Sequence, residues 1–252
     1  MLGYHSIDNT DLDLSTPPEI FGLQMNYLHA HGYQVISLNK FMSFILSKKE
    51  VSNNIVVLTF DDGLKDFHKF AWPILDRHNF SATVFVPTDF IGEKSWWYAD
   101  YGLTPQPMLN WQELKEVTEA GVDIQSHGCS HRPLINLSFS DLQKEMNESK
   151  DILEQGLGKP VDYFCCPQGT ADQNVVEAIK KAGYKGATIG GNGLHKVGDD
   201  PYKIKRQFLD IISIPDERTA LISIKACVQG TFSWYVRIKK EVERTWLKTL
   251  LK

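Results

Sequence analysis

No run in this 252-residue chain approaches the ~18 consecutive apolar residues of a membrane span. Met1 to Ile7 lacks the basic stretch and long apolar core of a secretory leader. Basic charge is not in excess either. Lys and Arg total 27 against 31 Asp and Glu, a net charge of −4, so the concentrated positive surface that grips nucleic acid is not expected. Cysteine is sparse. Cys129, Cys165, Cys166 and Cys227 form no CxxC pair, adjacent Cys165 and Cys166 cannot readily bridge, and no disulfide framework emerges. Unbridged thiols suit a reducing compartment, so the expected location is the cytoplasm or the inner face of its membrane, with export left open. Sequence repeats, low-complexity runs and obvious linkers are also missing.

What is present is an ordinary globular balance, 42% hydrophobic and 23% charged residues, organised as alternating short apolar runs and helical patterns. Strand-like runs fall at Leu2–His5, Gln34–Leu38, Ile55–Phe60, Ala82–Val86, Val122–Gln125, Val161–Cys166, Gly186–Ile189 and Arg206–Asp210. Amphipathic stretches fall at Pro18–Ala30, Trp111–Ala120, Asp141–Leu157 and Gln173–Ala182, the last followed by Gly183 as a C-cap. Seven or eight such units predict an α/β fold with a parallel sheet closed, or nearly closed, into a barrel. Residues 1–230 read as one domain. Residues 231–252 read as a basic amphipathic helix, with six Lys or Arg against Glu241 and Glu243. That helix is expected to pack on the same domain, or to dock on a membrane or a partner in glycan assembly.

Three motifs lie at predicted strand exits, the edge where α/β enzymes place their chemistry. The strand Ile55–Phe60 runs into Asp61-Asp62-Gly63. Neighbouring side chains there point apart, so one carboxylate can face a cation and the other a water, although Asp-Asp-Gly is also ordinary turn chemistry. Ile124–Ser126 leads into His127-Gly-Cys-Ser-His131. Two imidazoles four positions apart can reach one metal, and with Asp62 they make three ligands and leave an open position. Phe164–Cys166 leads into Pro167-Gln168-Gly169, a turn that can present the Gln168 backbone N–H to a developing oxyanion. A long connection, Asp89–Asn110, carries Trp96, Trp97, Tyr98 and Tyr101, and aromatic loops of this kind often line a site.

Taken together these motifs resemble the NodB-homology polysaccharide deacetylases, carbohydrate esterase family 4. Thr59-Phe-Asp-Asp-Gly63, His127-Gly-Cys-Ser-His131 and Phe164-Cys-Cys-Pro-Gln-Gly169 stand in the order of that family's first three motifs. The resemblance also takes in Gly3-Tyr4-His5, the Trp111-x-Glu-Leu segment and Pro201–Arg206. It implies a distorted (β/α)7-type barrel and one divalent metal, most often Zn2+, held by Asp62, His127 and His131. By motif position Asp61 is the general base and the Gln168 backbone N–H the oxyanion donor, with Pro167 and Gly169 flanking it; Trp97, from the aromatic connection, is the further residue expected beside the substrate. The implied substrate is an acetylated amino sugar in a polysaccharide, a lipid-linked oligosaccharide or a nucleotide sugar.

Two positions depart from the family pattern. Cys165 stands where many members carry the Arg that partners the base, and no late Leu-x-His motif supplies the general acid. Gly193-Leu-His195 is one candidate for the acid. His5, at the end of the first strand, is the better one, since a histidine can hold and release a proton near neutrality. These departures leave room for two other readings, a cyclic amide or imide hydrolase on the same fold and an inactive carbohydrate-binding homologue.

Overall fold

A computed structural model describes residues 1–10, 14–48, 54–191, 193–196, 198–209 and 216–230. The basic amphipathic stretch expected at 231–252, with the docking surface expected of it, lies outside these residues.

The strands are β1 (Leu2–Tyr4), β2 (Gln34–Val35), β3 (Ile55–Val56), β4 (Leu58–Phe60), β5 (Thr83–Val86), β6 (Asp123–Ser126), β7 (Tyr163–Cys165), β8 (Gly186–Gly190) and β9 (Ile204–Phe208). The helices are α1 (Pro18–Ala30), α2 (Leu38–Ser47), α3 (Trp72–Arg77), α4 (Trp111–Glu119), α5 (Phe139–Leu157), α6 (Gln173–Lys181) and α7 (Glu217–Val228). Seven strands close a barrel in the order β1-β4-β5-β6-β7-β8-β9, with β9 pairing back on β1 and every pair parallel. This is the distorted (β/α)7 barrel expected from sequence.

Alternation along the strands divides the core into two. Leu58, Phe60, Val84, Val86, Ile124 and Phe164 face outward against helix residues such as Phe21, Leu114, Met146 and Ile179. Phe85, Tyr163, Cys165 and Ile204 face inward and pack on Leu38, Phe41, Met42 and Ile45 of α2. Because Tyr163 and Ile204 open their strands, α2 plugs the end of the barrel where the strands begin, and the Tyr163 hydroxyl donates to Asn39 Oδ1 at 3.0 Å. The opposite end stays open for loops.

Two expectations need correction. Gln34–Leu38 is not a barrel strand: Gln34 and Val35 pair with Ile55 and Val56 in a separate two-stranded ribbon. Leu38 begins α2, capped by the Ser37 hydroxyl on the Lys40 N–H. Its apolar positions 38, 41, 42 and 45 carry helical spacing, but a four-residue β-like run just before them obscured the start. The Ile55–Phe60 run breaks at Val57, which leaves the ribbon to enter the barrel.

Candidate active site

The open end carries a pocket of about 450 Å³ whose lining includes His5, Asp61, Asp62, Trp97, His127, His131, Gln168 and Arg206. The inward register of β4 carries through Thr59 to Asp61, while Asp62 turns away with φ of +69°. Gly63 then stands at φ +63°, and a Cβ on it would meet Val86 at 3.0 Å, so glycine satisfies both backbone and packing. The two adjacent carboxylates, both almost wholly buried, therefore meet different neighbours.

Asp62 faces the histidines. Its Oδ1 lies 3.1 Å from His131 Nε2 and 3.5 Å from His127 Nε2, and its Oδ2 accepts a hydrogen bond from the Tyr98 hydroxyl at 3.0 Å. His127 Nδ1 is 2.8 Å from the Cys165 carbonyl. A carbonyl can only accept, so Nδ1 carries a proton and Nε2 is the ring nitrogen turned toward Asp62. His131 stacks on Trp97 with centroids 4.4 Å apart.

Whether a cation fits this trio is decided by its donor atoms. Asp62 Oδ1 is buried and accepts no hydrogen bond among the described residues, and one ligand atom from each of Asp62, His127 and His131 falls within 4.8 Å of the others. A buried oxygen left without a donor beside two imidazole nitrogens is the arrangement a divalent cation satisfies. Burial would raise the Asp62 pKa, but the flanking His131 and His127 reverse this and hold it well below the usual carboxylate range. Burial lowers that of His131, with the Asp62 carboxylate opposing too weakly to restore it. His127 stands well above its ordinary value because Cys165 and Asp62 beside it outweigh burial.

Asp61 has a different partner. Arg206, the largest fully buried side chain, places Nη1 2.5 Å from Asp61 Oδ1 and Nη2 2.8 Å from Oδ2. The same Nη2 lies 3.0 Å from Cys165 Sγ. Burial would push the Asp61 carboxyl up, but the guanidinium charge and hydrogen bonds of Arg206 hold it below the usual range. Where many family members carry Arg this chain has Cys165, and Arg206 of β9 partners Asp61 instead. The available signal was an arginine between Ile204 and Phe208 in a strand that has no other reason to bury a charge.

His5 Nε2 lies 4.0 Å from Asp61 Oδ2, with the ring stacked on Phe208 at 5.0 Å. Gly3 makes room for that stack, since a Cβ there would come within 2.6 Å of the Phe208 ring. His195 is elsewhere: it packs edge-on against Phe41 of the plugging helix, and its Nε2 donates to the Lys205 carbonyl at 2.7 Å. Gln168 and Gly169 form part of the pocket wall while Pro167 beside them is buried. Gln168 has φ of +57°, and its side-chain amide donates to the Tyr101 hydroxyl of the aromatic connection. A Cβ on Gly169 would strike the Gly190 backbone at 2.6 Å, so this turn packs flush on β8.

The polysaccharide deacetylase family model matches residues 48–187, more than half of the chain. YxkH of Bacillus subtilis is 29% identical over 73% of this chain and 62% of its own length. The poly-β-1,6-N-acetyl-D-glucosamine N-deacetylase of Staphylococcus aureus is 25% identical over 66% of this chain and 57% of its own. The chain thus spans about 60% of the length of these curated relatives. Among solved structures, the polysaccharide deacetylase BC0361 of Bacillus cereus superposes with a TM-score of 0.71 at 28% identity, covering 88% of this chain and 67% of that one.

Proposed function

The chain belongs to the polysaccharide deacetylase family, and from that premise we propose that it is a metal-dependent hydrolase that removes N-acetyl groups from an amino-sugar polymer. The observation that carries the reading is the pairing of two unlike carboxylates at one pocket. Asp62 lies with two imidazoles and an unmet acceptor oxygen, and Asp61 is held ionised by Arg206. A binding protein without catalysis has no need of both. The S. aureus relative's name supports an N-acetylglucosamine polymer as substrate.

Asp62, His127 and His131 would hold the cation. When bound, a divalent ion supplies Lewis acidity toward the acetyl carbonyl and the attacking water. Asp61 accepts the proton lost by water as its oxygen bonds to the acetyl carbon, and Arg206 keeps that carboxylate ionised and oriented until then. The Gln168 backbone N–H, on a residue of the pocket wall, is the donor we assign to the oxygen that gains charge. As the C–N bond breaks the nitrogen takes a proton, and His5, 4.0 Å from Asp61, is the donor we assign. The products are acetate and a free amine.

The test is acetate release by protein loaded with Zn2+, against N-acetylglucosamine oligomers, a lipid-linked oligosaccharide and a nucleotide sugar, with Asp61→Asn as control. Release from the oligomers, falling ~10²-fold or more in the variant at unchanged metal content, is expected. Opening of a cyclic imide with no acetate from any sugar would replace this reading with the hydrolase alternative.

A further inference from the structure

The segment from His127 to His131 has an unusual backbone: Gly128 stands at φ +79° and His131 at +56°. Such a loop leaves N–H groups with no regular partner, yet it must set two imidazoles on one point. The partner comes from α5. Glu145 is 4% exposed, and its Oε2 accepts the Cys129 N–H at 2.7 Å and the Ser130 N–H at 3.0 Å. Its Oε1 accepts the Ser130 hydroxyl and Arg132 Nη2, the latter at 3.2 Å. One turn further along, Ser149 Oγ lies 2.8 Å from Ser126 Oγ, which accepts the Gly128 N–H at 3.1 Å. The loop is fitted to the carboxylate, since a Cβ on Gly128 would come within 3.2 Å of Glu145 Oε2.

Glu145 does not line the substrate pocket. It opens instead onto a small polar cleft behind the loop, with Asp89, Arg132, Lys144 and Glu148. A carboxylate buried there is out of reach of substrate, and among the described residues every hydrogen bond it accepts comes from the segment Cys129–Arg132. We propose that Glu145 is the positioning residue of the metal site, fixing the turn that presents His127 and His131 to one cation. The inference rests on reading Asp62, His127 and His131 as the cation's ligands. Its physical basis is that a three-ligand site gains affinity when its ligands are held in place before the ion arrives.

Length and charge can be separated at this position. Glu145→Gln keeps an amide oxygen at the same reach, able to accept both N–H groups, but removes the charge. Glu145→Asp keeps the charge and draws the oxygens back by one methylene. Zn2+ affinity of the full apo chain is measured by competition with a chromophoric chelator, with circular dichroism and Tm recorded for each variant. Positioning predicts that Glu145→Gln binds within about threefold of wild type and that Glu145→Asp loses about 10–100-fold, the range for partners behind metal ligands. Wild-type affinity in Glu145→Asp with a large loss in Glu145→Gln would make the charge the operative property and overturn the proposal. So would wild-type affinity in both, with or without a change in Tm. His131→Ala is run alongside: if it binds as wild type does, or if wild type binds no Zn2+, the ligand assignment fails and the inference with it. Loss in His131→Ala with unchanged binding in both Glu145 variants refutes the positioning role alone.

Discussion

Arg206→Met is the perturbation that most sharply tests the floor of the pocket. It removes the guanidinium and leaves the Asp61 carboxylate, 4% exposed, without the two hydrogen bonds now made at 2.5 and 2.8 Å. Taking one partner from a buried ion pair costs about 3–5 kcal/mol, because the remaining charge is stranded. At ~2–4 °C per kcal/mol for a protein near this size, Tm should fall by roughly 6–20 °C. The kinetic effect has a definite sign. With Arg206 in place Asp61 sits below the usual carboxylate range, and without it burial is opposed far less. The Asp61 pKa then rises, and the acid limb of the kcat/KM profile moves to higher pH. Differential scanning calorimetry and a pH–rate profile read the two effects separately. Asp61→Asn in the same background should recover part of the lost Tm, since no charge is then buried alone. A single variant as stable as wild type, with its acid limb unmoved, would show that the pair neither holds the fold nor tunes the base.

His5→Ala should leave metal content unchanged and lower kcat while flattening the alkaline limb of the rate profile, whereas His195→Ala should do little, because it lies against Phe41 at the plugged end. If His195→Ala is the damaging change, the proton donor has been misassigned. Asp66 is half-buried behind Ser6, and desolvation raises its carboxyl pKa from 3.8 to about 7, with Asp8 and Asp62 adding and the bonds from Ser6 and Ile7 opposing. Its folded pKa is the higher one, so its contribution is full below pH ~4 and is lost as pH rises toward 7, a drop on the order of 4 kcal/mol by linkage. Urea midpoints between pH 4 and 8 should therefore fall less steeply in Asp66→Asn, and an unchanged slope would mean that Asp66 does not titrate there.

The chemistry-bearing residues were legible in the sequence because each sits within a few positions of its partner or of a strand end. Asp61-Asp62-Gly63, His127 with His131, and Pro167-Gln168-Gly169 follow apolar runs, and a parallel barrel brings every strand exit to one rim. The barrel was legible for a related reason, since buried parallel strands read as short apolar runs between helical patterns. What depended on register was not. Arg206 reaches Asp61 across 145 positions, because β9 closes on β1 and β1 pairs with β4. Glu145 looks like any polar residue on the amphipathic α5 until that helix is laid against the His127–His131 loop. His5 and His195 were separable only by the end of the barrel each occupies, which nothing local to either residue encodes. The sequence by itself determined the candidate ligands and the carboxylate we propose as base, whose spacing is local. The partners that charge, orient and hold them were decided by tertiary structure, because only barrel closure and helix packing bring distant side chains within hydrogen-bond reach.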